Sequence, residues 1–429
     1  MKCYFDNANI NEANMSHLKT GPNGESFWLI PEGTNLKKQL VLAGIKIDTL
    51  DNLTESGCYF IEVNGDPIWW TGIDFSSSLP RNHVLREIPI HVLDLARCKK
   101  LRLVIAADRE GGGFIYNNKN AFAETTRAMQ DLGLPVDSVL IVQGNYKIQE
   151  QYGAWLIESG SPKLFSVKHM IHFDRIFFHK DVFPADPIIN QSLANPEVTA
   201  FNSLNRVSRP HRLAHLYMLA RDQLLDSGMV SCNELNCGQA DPLEILSLIN
   251  DKTTRACANY LISDFDNYMR QHFPRHVDGD WAQINAANTV HESVFKNSLL
   301  SFVSETKFQS NKENVVFITE KIFKCLAYGH PMILLASAHT LRALEQLGFR
   351  IDYCSINPYY NDIENDIERF YATYSELVSW IQLSKEEKIR RIKNSMPTIM
   401  HNFYLCRKIN FYHTGLRDIM TCSEEYLNA

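Results

Sequence analysis

The segment "VVFITEKIFKCLAYGHPMILL", residues 315–335, contains the pattern that decides the fold class. It reads as a short apolar strand, a helix that begins near Glu320 with Thr319 as its N-cap, a glycine that stops the helix, and a second apolar strand. Strand, helix and strand in this order are typical of a parallel α/β sheet. Lys321 is the unusual residue, because the positive end of the helix dipole favours an acid in the first turn and disfavours a base.

Two interpretations of Lys321 follow from this position. An anion can bind at the helix end, where unpaired N–H groups attract phosphates and a neighbouring lysine would help. Alternatively, Glu320 pairs with Lys324 one turn later and Lys321 simply points to water. The segment alone leaves both open.

Length, composition and net charge restrict the classes of protein to which this chain can belong. With 429 residues, of which 45% are hydrophobic and 21% charged, the chain is globular throughout and long enough for two domains. No apolar run approaches the roughly 20 residues of a membrane helix, and the N-terminus lacks a signal-peptide core, so we expect a soluble cytoplasmic protein without a membrane partner. The net charge of −6 gives no overall reason to expect a polyanionic partner, although a local basic groove would be compatible with it.

The cysteines do not indicate a metal site or a disulfide scaffold. The 10 cysteines are scattered, as expected for reduced thiols in a cytosol. Cys232 and Cys237 form the only close pair, and no second pair or histidine cluster completes a tetrahedral site.

The first half of the chain contains a βαβ pattern. "KKLRLVIAAD" reads as a buried parallel strand, "REGGGFIYNN" as a glycine loop, residues 120–133 as a helix and "VDSVLIVQG" as the next strand. The runs "CYFIEV", "PIWWTGI" and "IPIHVL" also read as strands. Residues 180–196 are rich in Pro, Asn and Ser and are predicted to be a linker. The predicted domains are therefore residues 1–195 and 196–395, followed by a helical tail over 396–429.

The second half opens with a strand to about Leu204, a polar loop and a helix that has Pro210 in its first turn. Arg206, Arg209 and Arg212 lie at this junction, and an arginine cluster there can clamp a diphosphate or form a solvated basic loop. The helix start at Thr319–Lys321 is a second anion-binding candidate in the same half. Parallel sheets gather their strand ends along one crevice, so both features predict a nucleotide diphosphate.

These residues support a resemblance to a known family. "LLSFVSETKF" followed by residues 315–349 resembles the C-terminal nucleotide-sugar signature of the α1,3-fucosyltransferase-like glycosyltransferases. "FNSLNRVSRPHR" is similar to a segment of uncharacterised phage and giant-virus glycosyltransferases. The resemblance covers about residues 200–355. It implies a GT-B-like α/β fold, with two Rossmann-type domains whose parallel sheets face a central cleft.

The resemblance also implies roles for individual residues. Glu320 would lie near the ribose hydroxyls and Lys321 near the diphosphate or the sugar. Arg206 or Arg209 would neutralise the leaving diphosphate, and Glu305 would lie close to the donor sugar. No cofactor is implied beyond a nucleotide-sugar co-substrate, a GDP- or UDP-sugar, and the implied stereochemical course is inversion.

Transfer to an acceptor hydroxyl needs a base. In a GT-B fold the loop "ADREGGG" faces the crevice, and its acids are Asp108 and Glu110, of which Glu110 is the preferred candidate; both could equally be solvated turn carboxylates. Glycines 111–113 would let the backbone approach a ligand, and His172 is an alternative base. "DGD" at 278–280 lacks the apolar strand that precedes a metal-binding DxD, so no essential metal is expected.

The predicted function is that of a glycosyltransferase that uses a nucleotide-diphosphate sugar. One alternative keeps the chemistry but makes the acceptor a hydroxylated base in phage DNA, which predicts a basic groove and salt-sensitive binding. The other is a non-catalytic protein that binds a sugar nucleotide or a glycan. Trp69, Trp70 and Trp155 could stack on sugar rings in each case or could be buried aromatics.

Overall fold

A computed structural model of the chain describes residues 2–5, 40, 43–49, 56–63, 83–107, 111–116, 119–172, 184–205, 207–232, 242–249, 265, 267–275, 277, 292–309 and 315–429. It divides the chain into two compact units. The first unit comprises Met1–His179, Glu313–Ile318 and Ile409–Ala429, and the second comprises Lys180–Lys312 and Thr319–Lys408. The sequence had suggested a boundary at residue 195 and a separate tail from residue 396, whereas the chain enters the second unit at Lys180 and leaves it after Lys408.

The first unit is built on a six-stranded parallel sheet with the order β2-β1-β3-β4-β7-β8. Its central strand β4 is buried along its whole length, as expected for a parallel sheet covered on both faces. Two short strands, β5 and β6, pair antiparallel beside it. The strands are β1 (Lys2–Phe5), β2 (Lys46–Thr49), β3 (Gly57–Glu62), β4 (Leu101–Ala107), β5 (Ile115–Tyr116), β6 (Lys119–Asn120), β7 (Val139–Gln143) and β8 (Ser166–His169).

Three helices of this unit are α1 (Ile90–Arg97), α2 (Ala121–Asp131) and α3 (Ile148–Ser159). The prediction of β4, α2 and β7 as one βαβ unit is confirmed. The prediction of a strand at "IPIHVL" is wrong, because α1 begins there and buries Val92, Leu93 and Ala96. This spacing is helical, and the apolar face that it forms packs on β4.

The second unit contains a four-stranded parallel sheet with the order β10-β9-β11-β12. From β9 the chain continues to β10 on one side, and it later returns to β11 on the other side of β9. The topological switch point, where parallel sheets open a crevice at the carboxyl ends of their strands, therefore lies between β9 and β11. The strands are β9 (Phe201–Asn205), β10 (Gly228–Cys232), β11 (Ser301–Ser304) and β12 (Met332–Leu335).

The described helices of the second unit include one inside the predicted linker, at Ile189–Ala194, because Ile188 and Ile189 are apolar and fully buried. The predicted helical tail, residues 396–429, consists of two separate helices, Met396–Lys408 and Phe411–Asn428. The helices are α4 (Ile189–Ala194), α5 (Pro210–Arg221), α6 (Pro242–Ile249), α7 (Glu292–Lys296), α8 (Glu320–Tyr328), α9 (Thr340–Gln346), α10 (Asp366–Gln382), α11 (Lys385–Asn394) and α12 (Met396–Lys408).

The apolar run "VVFI" does not form the strand that was predicted before α8. Residues 315–318 belong to the first unit, where Phe317 bridges to Asn145 and the N–H of Tyr146 donates to the carbonyl of Val316 at 2.8 Å. The strand that precedes α8 in the sheet is β11, which already pairs with both β9 and β12. The predicted order of strand, helix and strand is therefore correct, but the first strand is β11 and not "VVFI".

The last helix, α13 (Phe411–Asn428), completes the core of the first unit. It packs on β3 and β4, and Tyr412, Leu416 and Ile419 join a buried cluster there. In the same cluster the thiol of Cys3 in β1 donates to the sulfur of Met420 at 3.3 Å. The first and last segments of the chain are therefore packed together. None of the helices in the described ranges has the length and apolar character needed to cross a membrane.

Two glycines provide a matched test of packing at helix ends. Gly329 ends α8 and Gly160 ends α3, both with a φ of 62°. A Cβ at Gly329 would lie 2.5 Å from Cβ of Pro187, whereas a Cβ at Gly160 would meet nothing within 4 Å. We expect Gly160→Ala to cost about 1 kcal/mol through the left-handed backbone alone, and Gly329→Ala to cost about 2 to 3 kcal/mol because the clash adds to it.

Urea unfolding of both variants measures this difference. Equal losses of stability in the two variants would show that the contact with Pro187 relaxes at no cost.

Candidate anion-binding site

The candidate site lies at the carboxyl edge of the second unit's sheet, at the switch point. Because β9 and β11 are parallel neighbours, the residues that follow Asn205 and Ser304 emerge at the same edge. Glu305 comes directly after β11, and the N-terminus of α8 is bonded to it through Thr319. The sheet thus brings together Glu305 and the Thr319–Lys321 segment.

Glu305 is the buried centre of this arrangement, and none of its surface is exposed. Its Oε2 accepts from the N–H of Thr306 at 2.9 Å, and its Oε1 accepts from the N–H of Thr319 at 3.2 Å. The hydroxyl of Thr319 also donates to the carboxylate, at 2.7 Å from Oε2 and 2.9 Å from Oε1. A buried carboxylate is tolerated only with such a set of donors.

Lys321 does not point freely to water. Its Nζ donates to the hydroxyl oxygens of Thr306 at 3.2 Å and Thr319 at 3.0 Å, and to Oε1 of Glu320 at 3.0 Å. Oε2 of Glu305 lies 3.9 Å away. These contacts fix the ammonium group, while the side chain as a whole remains 26% exposed. The hypothesis of a solvated Lys321 is therefore wrong.

Glu320 is the counter-charge of Lys321. Burial alone would raise the pKa of its carboxyl, but Lys321 and Lys324 outweigh burial and lower this pKa to about 2. The carboxylate is therefore ionised at neutral pH. An anion that binds Lys321 from solvent has to share it with Glu320 or displace the Glu320 carboxylate.

Arg212 is buried beside Glu305. Its Nη2 donates to the carbonyls of Ser304 and Glu305, both at 3.1 Å, and its Nη1 donates to the carbonyl of Val207 at 3.1 Å. Burial, followed by the charge of Arg209, lowers the pKa of Arg212 to about 10, which leaves it protonated at neutral pH. Arg212 thus connects the loop after β9 to the end of β11.

The other two arginines occupy different situations. Arg209 is the half-buried N-cap residue of α5, with an extended backbone. Arg206 lies outside the described residues. The structure therefore brings Arg212 to the end of β11, beside Glu305, and places Arg209 at the start of α5.

His211 supports the same strand end. Its Nε2 lies 2.9 Å from the carbonyl oxygen of Glu305, and its ring stacks on Phe308 with centroids 5.2 Å apart. Burial, followed by the charge of Arg212, lowers the pKa of His211 well below its usual value. The imidazole is therefore neutral, and its Nε2–H donates to the Glu305 carbonyl.

Several buried polar atoms at this edge have no hydrogen-bond partner within the described part of the chain. Asn205 and Ser304, which end β9 and β11, contribute Oδ1 and Oγ, and Arg212, which donates to the Ser304 carbonyl, contributes Nε. Oγ of Ser337 follows β12 at the same edge. Buried polar groups normally find a partner in the protein, in water or in a ligand. Their concentration at the switch point marks this edge as a site.

The first unit offers less support for the predicted acceptor side. Asp108 and Glu110 lie outside the described residues. Gly111 accommodates a protein ring, because a Cβ there would lie 2.4 Å from Cγ of Phe317. His172 is buried against the ring of Tyr412, with centroids 5.9 Å apart.

Trp155 is a core residue, packed 5.6 Å from Phe122 and 5.8 Å from Tyr152 between ring centroids. Trp69, Trp70, Cys237 and the "DGD" segment lie outside the described residues. Within the described ranges, no group of three or more His, Cys, Asp or Glu side chains is arranged to hold a metal ion.

Sequence reasoning missed Thr306. Its hydroxyl binds Lys321 and its N–H binds Glu305. The available signal was a hydroxyl residue directly after the acid that ends an apolar strand, which is too common a pattern to single out.

Comparison with known proteins identifies no family. No protein-family model and no curated protein matches the chain. Among solved structures, the catalytic domain of starch synthase IV from Arabidopsis thaliana, bound to ADP and acarbose, aligns at 11% identity and a TM-score of 0.40, over 91% of this chain and 75% of that chain. The α,α-trehalose 6-phosphate synthase of Burkholderia multivorans aligns at 12% identity and a TM-score of 0.39, over 92% and 76% of the two chains. Both similarities are too distant to assign a function to this chain.

Proposed function

We propose that this protein is a GT-B-like glycosyltransferase that moves a sugar from a nucleotide-diphosphate donor to an acceptor hydroxyl. One observation carries the proposal. The ammonium group of Lys321 is fixed by Thr306 and Thr319 at the N-terminus of α8, beside the switch point of a parallel sheet, and the Lys321 side chain remains partly exposed. The resemblance of residues 200–355 to nucleotide-sugar-dependent enzymes supports the same assignment.

The chemistry of glycosyl transfer explains why such a site is useful. As the bond between the sugar and the diphosphate breaks, negative charge develops on the leaving oxygens and has to be stabilised by groups already in place. The Lys321 ammonium supplies a full positive charge, and the first-turn N–H groups of α8 supply oriented dipoles. These groups provide the charge that a metal provides in other transferases, so we propose that transfer needs no metal.

Donor binding would rearrange the Lys321–Glu320 pair. A diphosphate oxygen that takes the place of the Glu320 carboxylate at Lys321 would release that carboxylate. Since Glu320 stays ionised, it can then accept from a hydroxyl of the donor, in line with the ribose role that the resemblance implies. Inversion of configuration, with Glu110 or Asp108 as the base, belongs to the same proposal.

A nucleotide panel tests donor binding. We expect one of GDP, UDP, CDP and dTDP, or one of their sugars, to raise the melting temperature, because a ligand at 100 times its dissociation constant adds about 2.7 kcal/mol to the free energy of unfolding. The absence of a shift with every member of the panel would overturn the proposal.

Lys321→Ala tests the residue that carries the proposal. We expect it to weaken binding of the same nucleotide by about 1.5 to 3 kcal/mol, which is about 10- to 150-fold in the dissociation constant. Lys296→Ala is the matched control, because Lys296 forms an exposed pair with Glu292 on α7 of the same unit. If the variant binds this nucleotide with unchanged affinity, Lys321 does not contact the diphosphate, and the observation that carries the proposal is contradicted.

Turnover separates an enzyme from a binding protein. Release of nucleoside diphosphate from the bound nucleotide sugar, measured with glycan, protein and hydroxymethylated-DNA acceptors and in the presence of EDTA, identifies the acceptor and the metal requirement. Binding without release under all conditions would favour a sugar-nucleotide-binding protein.

A further inference from the structure

Glu305 connects more elements of the second unit than its position after a strand requires. Its N–H donates to the carbonyl of Leu335 in β12 at 2.9 Å, and its carbonyl accepts from His211 and Arg212 of α5. Its carboxylate binds the Thr319 cap of α8. The backbone hydrogen bonds fix the position of the Glu305 main chain. Its carboxylate then binds and orients Thr319 at the N-terminus of α8.

The direction of the hydrogen bonds around the carboxylate is determined by chemistry. An ionised carboxylate only accepts, and a threonine hydroxyl has a single proton. The proton of Thr319 therefore points to Glu305, so that the lone pairs of Thr319 remain for the N–H of Lys321 at 3.4 Å and its Nζ at 3.0 Å. Thr306 is oriented by the same carboxylate through its N–H, and its hydroxyl oxygen also accepts from Nζ.

We infer that Glu305 is a positioning residue that holds Lys321 in place for a diphosphate through Thr306 and Thr319, without contacting the donor. This inference deepens the proposed function and rests on it. It differs from the role that the resemblance implies, in which Glu305 lies close to the donor sugar. A side chain with no exposed surface and both oxygens bonded to the protein is suited to hold other groups.

Glu305→Gln is the informative substitution. Three donors converge on the carboxylate: the N–H of Thr306, and the N–H and hydroxyl of Thr319. An amide of the same size has one accepting oxygen and one donating NH₂ group, so at least one of these donors would face another donor. The hydroxyl of Thr319 would then turn, and Lys321 would lose its fixed position.

A double-mutant cycle tests whether Glu305 acts through Lys321. Binding of inorganic pyrophosphate and of GDP, UDP, CDP and dTDP is measured by calorimetry for the wild type, Glu305→Gln, Lys321→Ala and the double variant. We expect Glu305→Gln to weaken binding about 10-fold when Lys321 is present and less than about 2-fold when it is absent. Equal losses in both backgrounds would overturn the inference, because a general structural defect does not depend on Lys321. Glu292→Gln makes the same charge change at an exposed site in this unit and should leave binding unchanged.

Two further measurements keep the test decisive. If Glu305→Gln does not fold, Thr319→Val removes the bridging hydroxyl and should show the same dependence on Lys321. A loss of binding that is independent of Lys321 would again overturn the inference.

The second measurement needs no ligand. Mass spectrometry follows the rate at which an amine-reactive ester labels Lys321. This rate should rise in Glu305→Gln, and an unchanged rate would overturn the inference. Absence of binding by every diphosphate to the wild type would instead overturn the proposed function, so the two failures are distinguishable.

Discussion

Lowering the pH from 7 to 5 should remove several kcal/mol from the free energy of unfolding. Burial is the leading cause that lowers the pKa of His83 and His215 to about 3 and that of His330 to about 4. Each is neutral when folded, whereas an unfolded histidine titrates near pH 6.5. The unfolded state therefore binds more protons, and the stability that is fully present above pH 6.5 is lost as the pH falls toward the folded-state values.

The expected magnitude is large because the losses from separate histidines add. Each contributes a slope of about 1.4 kcal/mol per pH unit below pH 6.5, or roughly 2 kcal/mol at pH 5. Urea unfolding at several pH values, followed by tryptophan fluorescence, measures the slope.

His330→Gln provides the control for this assignment. His330 is bonded to the hydroxyl of Ser301 at 2.9 Å and to the carbonyl of Ser298 at 2.9 Å. The variant should be less stable at pH 7 but should lose about 1.4 kcal/mol per pH unit less on acidification. An unchanged slope in His330→Gln would show that this histidine is not responsible.

Removing the guanidinium of Arg369 should be the most damaging single substitution considered for the second unit. Arg369 in α10 is fully buried and donates to the carbonyls of Phe308 and Ala336, which follow β11 and β12, and to the carboxylate of Asp366 at 2.6 Å. Its guanidinium also lies 4.6 Å above the ring of Phe308. Arg369→Met removes a buried donor from the partly buried carboxylate of Asp366 and from several carbonyls, which should cost about 3 to 5 kcal/mol.

Arg342→Met is the matched control for Arg369→Met. Arg342 in α9 also binds an aspartate, Asp362, at 2.7 Å, but its side chain is 59% exposed. Exposed pairs contribute little, so this variant should lose far less stability than Arg369→Met. The difference between the two variants, measured by urea unfolding at pH 7, reports the effect of burial. Similar losses in both would contradict the assigned role of Arg369.

Local patterns in the sequence predicted much of the fold. The β4-α2-β7 unit, the strand and helix around Pro210, and α8 followed by β12 all have clear apolar periods and end signals. "IPIHVL" was misread because a six-residue apolar run has no period that separates a strand from a helix. "VVFI" was misread because its partner, Asn145, lies far away in sequence, and local pattern does not specify long-range pairing.

The part of the candidate site that depends on local sequence patterns could also be predicted. Thr319 as the N-cap of α8, and the charges beside it, follow from local rules of helix termini. The sequence could not show that Glu305 and Arg212 are buried, because the pattern of a buried acid or arginine at a strand end is the same as that of an exposed one. Burial changes their expected role from ligand contact to support.

The packing of α13 on β3 and β4 has a consequence for the time course of biosynthesis. Cys3 and Met420 share one buried cluster, and they are separated by 417 positions in the chain. During translation the apolar surface of β3 and β4 that α13 covers stays uncovered until α13 itself has left the ribosome. The first unit can therefore complete its core only after the residues of the second unit, which separate its parts in the sequence, have been synthesised.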